Sequence, residues 1–348
     1  MRKFNIFNKT IMQTSKPFVI AEIGNNHQGS VNLCKSLIGR AKLTGANAVK
    51  LQKRSVKNLF TKKLYNSPYL NENSFGKTYG EHREALEFNV EQWQEIINFA
   101  KKINIPLFST AFDMESVEFL EQMGMNAYKI ASGCLKDIPL IKRLIETKKP
   151  LVISTGGGIW EDIDRVYNLC KENNAEFCFL HCIASYPNRA EQMNLRVIIS
   201  MRERYRETII GLSDHYQSYI MAISAYCIGA RIFEKHFTSD HTLRGSDHAL
   251  SLEPHELAQL IHEFERIRAA MGNPEKQFLD CEKQGIYKMG KGIYTNSQLE
   301  REHIIKENDI CIKSPAEGLP PYELKNIIGK KTKRFLEEEE PIQWEDLE

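Results

Sequence analysis

Short apolar runs along this chain end in side chains that can bind anions, hold metals or transfer protons. Two lysines and several hydroxyls recur at these ends, and together they would form a cationic, hydroxyl-rich pocket. Such a pocket suits a compact anion with phosphate and carboxylate groups, because lysine supplies a point charge and hydroxyls supply donors. The candidates are Glu22, Lys50, Gln52, Thr110, Lys129, Ser132, Ser154, Tyr186, Ser213, His215, Glu234 and His236.

Two histidines stand at the ends of consecutive apolar runs, His215 after GLSD and His236 within FEKH. Their imidazoles could therefore converge on one divalent metal. Two histidines leave coordination positions open for a carboxylate, water or a substrate oxygen. Ligand type does not separate Mg, Mn and Zn here, although imidazole favours the transition metals. A satisfied core histidine is the structural alternative at each position.

The runs that carry these residues have the length and composition of buried strands, and segments of helical period separate them. Eight strands that alternate with helices predict an α/β protein built as a closed (β/α)8 barrel, whose reactive groups lie at the carboxyl ends of the strands. A doubly wound sheet is the alternative, but no GxGxxG follows the first strand. The predicted strands span residues 18–23, 48–52, 107–111, 127–132, 151–155, 177–182, 208–214 and 232–238.

Local signals fix several details of this arrangement. Ser30 predicts the start of a helix that Gly45 ends, and Pro254 predicts the first turn of a helix that runs to Met271. Period two places Glu234 and His236 on one face, so that Lys235 faces the helices and must extend to solvent or lie near an edge. The polar, glycine-bearing insertion over residues 53–89 is predicted to be a lid or binding loop.

The pattern changes after Asn273, and we expect a barrel domain over residues 1–273, a linker over 274–287 and a small, mostly β domain over 288–348. Such a small domain buries little surface by itself, so we expect it to lean on the barrel or on another subunit.

The composition excludes some classes of partner. Lys and Arg total 47 against 45 Asp and Glu, a net charge of +2 that gives no reason to expect nucleic acid or a membrane as partner. The eight cysteines include no CxxC pair, and the N-terminus has no apolar run typical of a signal peptide. These features predict a cytoplasmic protein whose thiols are small core residues.

The same residues carry a resemblance to the sialic acid synthase family. FVIAEIGNNHQGS, AVKLQK, SFGKTYGEHREALEF, YKIASG, GLSDH, FEKHFT and GSDHALSLEP resemble successive motifs of that family, and KGIYTN…IKSPAEGLPP…IIGKK resembles its C-terminal antifreeze-like (SAF) domain. The resemblance implies a metal-dependent condensation of phosphoenolpyruvate with an N-acetylmannosamine-type sugar. The product would be a nine-carbon 2-keto acid, and phosphate would leave by C–O cleavage.

The resemblance also implies roles for individual residues. His215 and His236 would hold the divalent metal (Mn, Mg or Co), and Glu22 would act as the acid/base or water-positioning group. Gln52 and Asp247 would contact the sugar, and His82 is a weaker candidate for that side. The residues implied to bind phosphoenolpyruvate are Lys50, Thr110, Lys129, Ser132, Ser154, Tyr186 and Ser213. The family likeness further implies a domain-swapped homodimer.

Three departures from the family pattern concern the sugar. Ser314 replaces an arginine of the tail loop, Cys134 replaces an acidic residue, and Ala184 replaces an asparagine. The TYGEH and GSDH motifs resemble the animal-type enzymes, which favours the 6-phosphate of the sugar over the free sugar as acceptor. Relatives that make legionaminic, pseudaminic or deaminated nonulosonic acids remain alternatives. The cations expected to attract a sugar phosphate are Lys77, Arg83, Arg244 and Lys313.

Two other functions compete with this interpretation. A class I aldolase or isomerase would use Lys129 or Lys50 as a Schiff-base nucleophile, but it gives the paired histidines no role. A non-catalytic sugar-binding or assembly barrel would need neither Glu22 nor phosphate release. A barrel without activity gains nothing from desolvating so many charged strand ends, which argues against it.

Overall fold

The computed structural model describes residues 2–348 and divides into two units, the first ending at Gly272 and the second beginning at Asn273. The first unit opens with an antiparallel hairpin of β1 (Lys3–Ile6) and β2 (Lys9–Met12). Its turn residues Phe7 and Asn8 have φ of 50° and 60°, as a tight hairpin with right-handed strand twist requires. This hairpin was not predicted from the sequence.

Eight parallel strands then close into a barrel, which confirms the predicted (β/α)8 fold. Strands that are consecutive along the chain pair with each other, and the last pairs with the first. Several strands are shorter at their ends than predicted. The barrel strands are β3 (Phe18–Gly24), β4 (Ala48–Lys53), β5 (Leu107–Ala111), β6 (Tyr128–Ile130), β7 (Leu151–Ser154), β8 (Phe177–Cys182), β9 (Ile210–Asp214) and β10 (Ile232–His236).

Helices connect the strands, and the two helices whose ends were predicted are confirmed. Ser30 caps the first helix by accepting a hydrogen bond from Leu33 N, and Gly45 ends it with φ of 94°. Pro254 opens the long helix after β10. The helices of this unit are α1 (Val31–Thr44), α2 (Val56–Leu59), α3 (Lys62–Tyr65), α4 (Tyr79–Glu84), α5 (Val90–Lys102), α6 (Met114–Gln122), α7 (Ile138–Glu146), α8 (Trp160–Glu172), α9 (Val197–Arg204), α10 (Ile220–Cys227) and α11 (Pro254–Met271).

The inside of the barrel changes from apolar to polar along the strands. Residues near the strand starts, such as Ile20, Phe108 and Val152, are buried in one apolar cluster with Phe4 and Ile11 of the hairpin. A larger apolar core fills the space between the strands and the helices. Because apolar side chains fill the amino end of the barrel, the polar side chains that follow them on the same strand faces lie toward the carboxyl end.

The second unit has its own small core of isoleucines and leucines. It contains α12 (Lys283–Met289), the antiparallel pair β11 (Gly292–Thr295) and β12 (Ile310–Lys313), and α13 (Leu324–Ile327). Helix α12 begins in the segment expected to be a linker, over residues 274–287, extends two residues beyond it, and has no buried residue. Within residues 2–348, no helix is long and apolar enough to cross a lipid bilayer.

Five of the cysteines are buried, as expected for small core residues, but Cys227 and Cys281 are exposed.

Candidate active site

A cavity of about 400 Å³ opens at the carboxyl end of the barrel, and every predicted site residue except the weaker candidate His82 lines it. Its volume lies within the range typical of small-molecule sites. The predicted residues that line it are Glu22, Lys50, Gln52, Thr110, Lys129, Ser132, Ser154, Tyr186, Ser213, His215, His236 and Asp247. All are buried or partly buried except Tyr186, whose side chain is 55% exposed. The structure thus brings together residues that the sequence separates by up to 225 positions (247 − 22).

The floor of the cavity holds a buried network around Lys50. Its Nζ lies 2.9 Å from Glu22 Oε2 and donates a 3.0 Å hydrogen bond to Thr110 Oγ1. Gln52 Nε2 donates to the other oxygen of Glu22 at 2.7 Å. Strand register explains the meeting, because Glu22 pairs with Lys50 across β3 and β4. Both oxygens of Glu22 are therefore held in place at a position that faces the cavity.

The backbone beyond Glu22 fixes its position further. The strand register shifts between Glu22 and Gly24, and Gly24 has φ of 52°. A Cβ at this glycine would lie 3.1 Å from both Glu22 Oε1 and Gln52 Nε2. A larger residue would therefore strain the backbone and crowd the hydrogen bond between these two side chains.

A second lysine lies beside the hydroxyls. Lys129 Nζ donates to Ser154 Oγ at 2.6 Å, and burial lowers the pKa of Lys129, with the charge of Lys50 adding to the effect. Ser132 Oγ accepts a 3.1 Å hydrogen bond from Gly156 N, and a Cβ at Gly156 would lie 2.7 Å from that oxygen. Two desolvated cations beside several hydroxyl groups make this floor well suited to an anion.

Glu234 also lines the cavity, although it was not among the residues given a role. It accepts a 3.0 Å hydrogen bond from Ser213 Oγ, and its Oε2 lies 3.7 Å from Lys50 Nζ. Burial by itself would raise its pKa, but the charges of Lys50 and Lys129 hold the pKa below its usual value. Period two along β10, which placed Glu234 beside His236, was the signal that pointed to it.

The two histidines are neighbours at the cavity wall, with ring centroids 5.3 Å apart. His215 Nδ1 contacts Ile183 O at 2.9 Å, which fixes the ring and leaves Nε2 free to bind a metal. Burial lowers the pKa of His215 to about 3, so this imidazole is neutral, the form that ligates metals. His236 Nδ1 is buried without a hydrogen-bond partner among residues 2–348.

These features fit a divalent cation held by two imidazoles with its other positions open. No group of three or more His, Cys, Asp or Glu side chains suited to a metal comes together in the described part of the chain. Asp247 Oδ2 lies 3.6 Å from His236 Nδ1. Burial alone would raise the pKa of Asp247, but the charge of His236, the Ser246 hydroxyl and the charge of Arg83 keep it below its usual value.

A buried ion pair stands directly behind the histidines. Lys235 is fully buried, and its Nζ donates to Asp214 Oδ2 at 2.9 Å and to the carbonyl oxygens of Tyr216 and Ser218 at 2.6 and 3.1 Å. The expectation that Lys235 reaches solvent or an edge was therefore wrong. Its ammonium group is satisfied by a carboxylate and two carbonyls on the neighbouring strand and loop, so burial leaves none of its donors idle.

The mouth of the cavity is lined partly by the insertion, through Tyr69 and Arg83, so this segment does form part of a binding wall. His82 does not line the cavity. It is 2% exposed, its Nδ1 accepts from Phe75 N at 3.1 Å, and its ring lies 4.5 Å from that of Tyr69. Its surroundings are those of a packed histidine of the short helix α4.

The expected phosphate-attracting cations do not all meet at this mouth. Arg83 lines the cavity, whereas Lys77 and Arg244 line a neighbouring pocket and Lys313, in the second unit, pairs with Glu339. Arg54 lines the cavity and was missed, because it follows the predicted end of its strand. Two of the three departures from the family pattern lie in this unit. Ala184 lines the cavity, and Cys134 is buried and directly follows Gly133, which also lines the cavity.

Comparison with known proteins agrees with this geometry. Residues 37–276 match the NeuB family and residues 291–348 match the SAF domain. The chain is 36% identical to the human N-acetylneuraminate-9-phosphate synthase, over 93% of this chain and 91% of the relative. It is 33% identical to the N,N'-diacetyllegionaminic acid synthase of Campylobacter jejuni, over 93% of this chain and 98% of that protein.

Among solved structures, the N-acetylneuraminic acid (sialic acid) synthetase of Leptospira borgpetersenii, crystallised with citrate, superposes with a TM-score of 0.72. It shares 30% identity and covers 82% of this chain and 95% of its own. The family, the barrel and the tail domain expected from the sequence motifs are confirmed. The chain is an enzyme of the NeuB family of sialic and nonulosonic acid synthases, with a C-terminal SAF domain.

Proposed function

We propose that this enzyme condenses phosphoenolpyruvate with an N-acylated amino sugar of the N-acetylmannosamine type. The observation that carries the proposal is that one cavity at the carboxyl end of the barrel collects the acid/base, phosphoenolpyruvate-binding, sugar-binding and metal-binding candidates other than His82. Two named relatives, the human and Campylobacter jejuni synthases, make products of this kind.

Phosphoenolpyruvate binds on the floor in this proposal. Its phosphate and carboxylate lie among Lys50, Lys129 and the hydroxyls of Thr110, Ser132, Ser154 and Ser213, with Tyr186 beside them. The buried lysines strengthen the attraction because water does not screen their charges. The sugar lies above it, against Gln52 and Asp247, and its open-chain aldehyde faces the enol carbon.

Carbon 3 of phosphoenolpyruvate attacks the aldehyde carbon, and a proton passes to the aldehyde oxygen. Water adds at carbon 2, the C–O bond to phosphate breaks, and the water oxygen remains as the 2-keto group. The atoms balance as phosphoenolpyruvate plus sugar plus water giving a nine-carbon 2-keto acid and inorganic phosphate. Glu22, held by Lys50 and Gln52, moves the proton or orients the water.

His215 and His236 hold a divalent metal in this proposal, with Mn, Mg or Co as the candidates. When bound, the metal supplies Lewis acidity that polarises the aldehyde oxygen. The Asp214–Lys235 pair fixes the strand positions directly before both histidines.

We further propose that the acceptor is the 6-phosphate of the sugar in preference to the free sugar. The human relative, whose name specifies a 9-phosphate product, supports this choice. The legionaminic acid synthases among the relatives keep a diacetylated acceptor as the second candidate.

We also propose a cytoplasmic, domain-swapped homodimer in which the tail domain of one subunit covers the barrel mouth of the other. The first residues of the second unit support this assembly. Phe278 is 58% and Met289 74% exposed, and α12 buries no residue. A short helix is unstable in water without packing partners, so a second subunit would supply the missing contact.

The test is a phosphate-release assay with phosphoenolpyruvate and a panel of free and 6-phosphorylated N-acyl hexosamines, with product masses measured. Release that depends on an N-acylmannosamine supports the proposal. A preference of about tenfold or more for the free sugar, about 1.4 kcal/mol in transition-state binding, would overturn the choice of acceptor.

A further inference from the structure

Two guanidinium groups, those of Arg54 and Arg83, line the mouth of the active-site cavity. Within residues 2–348, no carboxylate lies within the 4.0 Å ion-pair limit of Arg83. The carboxylate nearest to Arg54 is Glu87, at 3.9 Å, and Glu87 is already bound by Lys53 at 2.8 Å and by Arg54 N at 3.2 Å. The mouth therefore carries positive charge that the chain does not fully neutralise.

Both guanidinium groups are held in place by neutral neighbours. Arg54 is 8% exposed, donates from Nη2 to Gln52 Oε1 at 2.5 Å, and lies 3.9 Å from the centroid of the Phe112 ring. Arg83 donates from Nε to Tyr79 Oη at 3.1 Å. Side chains fixed in this way lose little conformational entropy when they bind an anion.

The two charges act on each other across the cavity. Burial, followed by the charge of Arg83, lowers the pKa of Arg54 to about 10. Arg54 is therefore still charged at neutral pH, and an anion bound beside both groups would offset the repulsion between them. Guanidinium groups match phosphate oxygens well, because their N–H groups form a planar fork.

The position of Arg54 separates this charge from the floor. Arg54 Nη2 donates to Gln52 Oε1, Gln52 Nε2 donates to Glu22 Oε1, and Glu22 Oε2 lies 2.9 Å from Lys50 Nζ. Two side chains, those of Gln52 and Glu22, therefore stand between the Arg54 guanidinium and Lys50. A six-carbon chain with a terminal phosphate spans on the order of 9 Å from its aldehyde carbon to phosphorus, at roughly 1.25 Å per bond along the chain. An acceptor whose aldehyde meets phosphoenolpyruvate on the floor thus brings its far end to the level of the arginines.

We infer that Arg54 and Arg83 form the subsite for the phosphate of a 6-phosphorylated acceptor sugar. The inference rests on the proposed condensation and specifies which residues select the phosphorylated substrate.

The experiment compares kcat/KM for N-acetylmannosamine and for its 6-phosphate in the wild type, Arg54→Gln and Arg83→Gln, with metal and phosphoenolpyruvate saturating. Each variant should lose about tenfold or more on the 6-phosphate and less than about threefold on the free sugar. The KM for phosphoenolpyruvate should stay within about threefold of the wild type. Arg266→Gln, at a 66% exposed side chain on α11, is the matched control and should change none of these values.

Equal losses on both sugars would overturn the inference, because Arg54 would then act only by holding Gln52. A large rise in the KM for phosphoenolpyruvate would overturn it as well, by placing the arginines in the other substrate's site. If the wild type turns over no sugar, the proposed condensation fails and a binding measurement decides the inference. Calorimetry with N-acetylmannosamine 6-phosphate and chelated protein should show binding that both variants lose; equal binding in all three proteins would overturn it.

Discussion

Replacing Lys235 with methionine removes one partner of the ion pair behind the histidines and keeps most of the side-chain volume. Asp214 then remains buried, at 1% exposure, without its cation, and the carbonyls of Tyr216 and Ser218 lose their donor. Removing one member of a buried pair costs about 3–5 kcal/mol, because the remaining charge is neither paired nor hydrated. We therefore expect Lys235→Met to lower the free energy of unfolding by about that amount.

Urea unfolding followed by circular dichroism measures the change, which should lower the midpoint by about 1 M or more for a protein of this size. Lys16→Met is the control, since Lys16 pairs with Glu265 at 2.9 Å but the two side chains are 63% and 45% exposed. That surface pair should contribute at most about 1 kcal/mol. Asp214→Asn combined with Lys235→Met should cost at least about 2 kcal/mol less than the sum of the single changes.

A loss of under about 1 kcal/mol in Lys235→Met, similar to that in Lys16→Met, would refute this reasoning. It would mean that water or a rearrangement solvates Asp214, and that the pair does not fix the strand ends that carry His215 and His236.

Three further predictions concern the site and the assembly. Glu22→Gln should abolish turnover, while calorimetry should show nearly unchanged phosphoenolpyruvate binding. The amide keeps the shape of the side chain but cannot transfer the proton. Normal turnover would show that Glu22 is structural. His215→Ala and His236→Ala should each lose bound metal and activity, while the far-UV circular dichroism spectrum stays that of a folded barrel. Full turnover by the chelated wild type would contradict the metal's role. Full-length protein should run as a dimer in light scattering, and an active monomer would contradict the proposed assembly.

Local sequence signals predicted much of the fold. Ser30 and Gly45 marked the ends of a helix through capping and left-handed backbone preference, which act over a few residues. The period-two alternation that placed Glu234 beside His236 is equally local. The N-terminal hairpin was missed because its strands are short and its apolar residues are scattered. These residues are buried only because they pack against residues at the strand starts, such as Phe108.

The features that could not be predicted depend on contacts between distant segments. Lys235 looked out of place on the helix side of its strand, because its partner Asp214 lies on the neighbouring strand and pairing across strands has no sequence signal. Arg54 was missed because it follows the predicted end of its strand, and its contacts with Phe112 and Glu87 come from later segments. The set of residues that line the cavity was predictable, because a (β/α)8 barrel brings the carboxyl ends of all its strands to one face.

The central claim is that this cavity joins phosphoenolpyruvate to an amino-sugar aldehyde with loss of phosphate by C–O cleavage. Phosphoenolpyruvate that carries ¹⁸O in the oxygen bridging carbon 2 and phosphorus tests it directly, with N-acetylmannosamine 6-phosphate, a divalent metal and mass spectrometry of both products. The label should leave with inorganic phosphate, and the sugar product should be a nine-carbon 2-keto acid without label. Label retained in the sugar product, or no phosphate release with any N-acyl hexosamine, would contradict it.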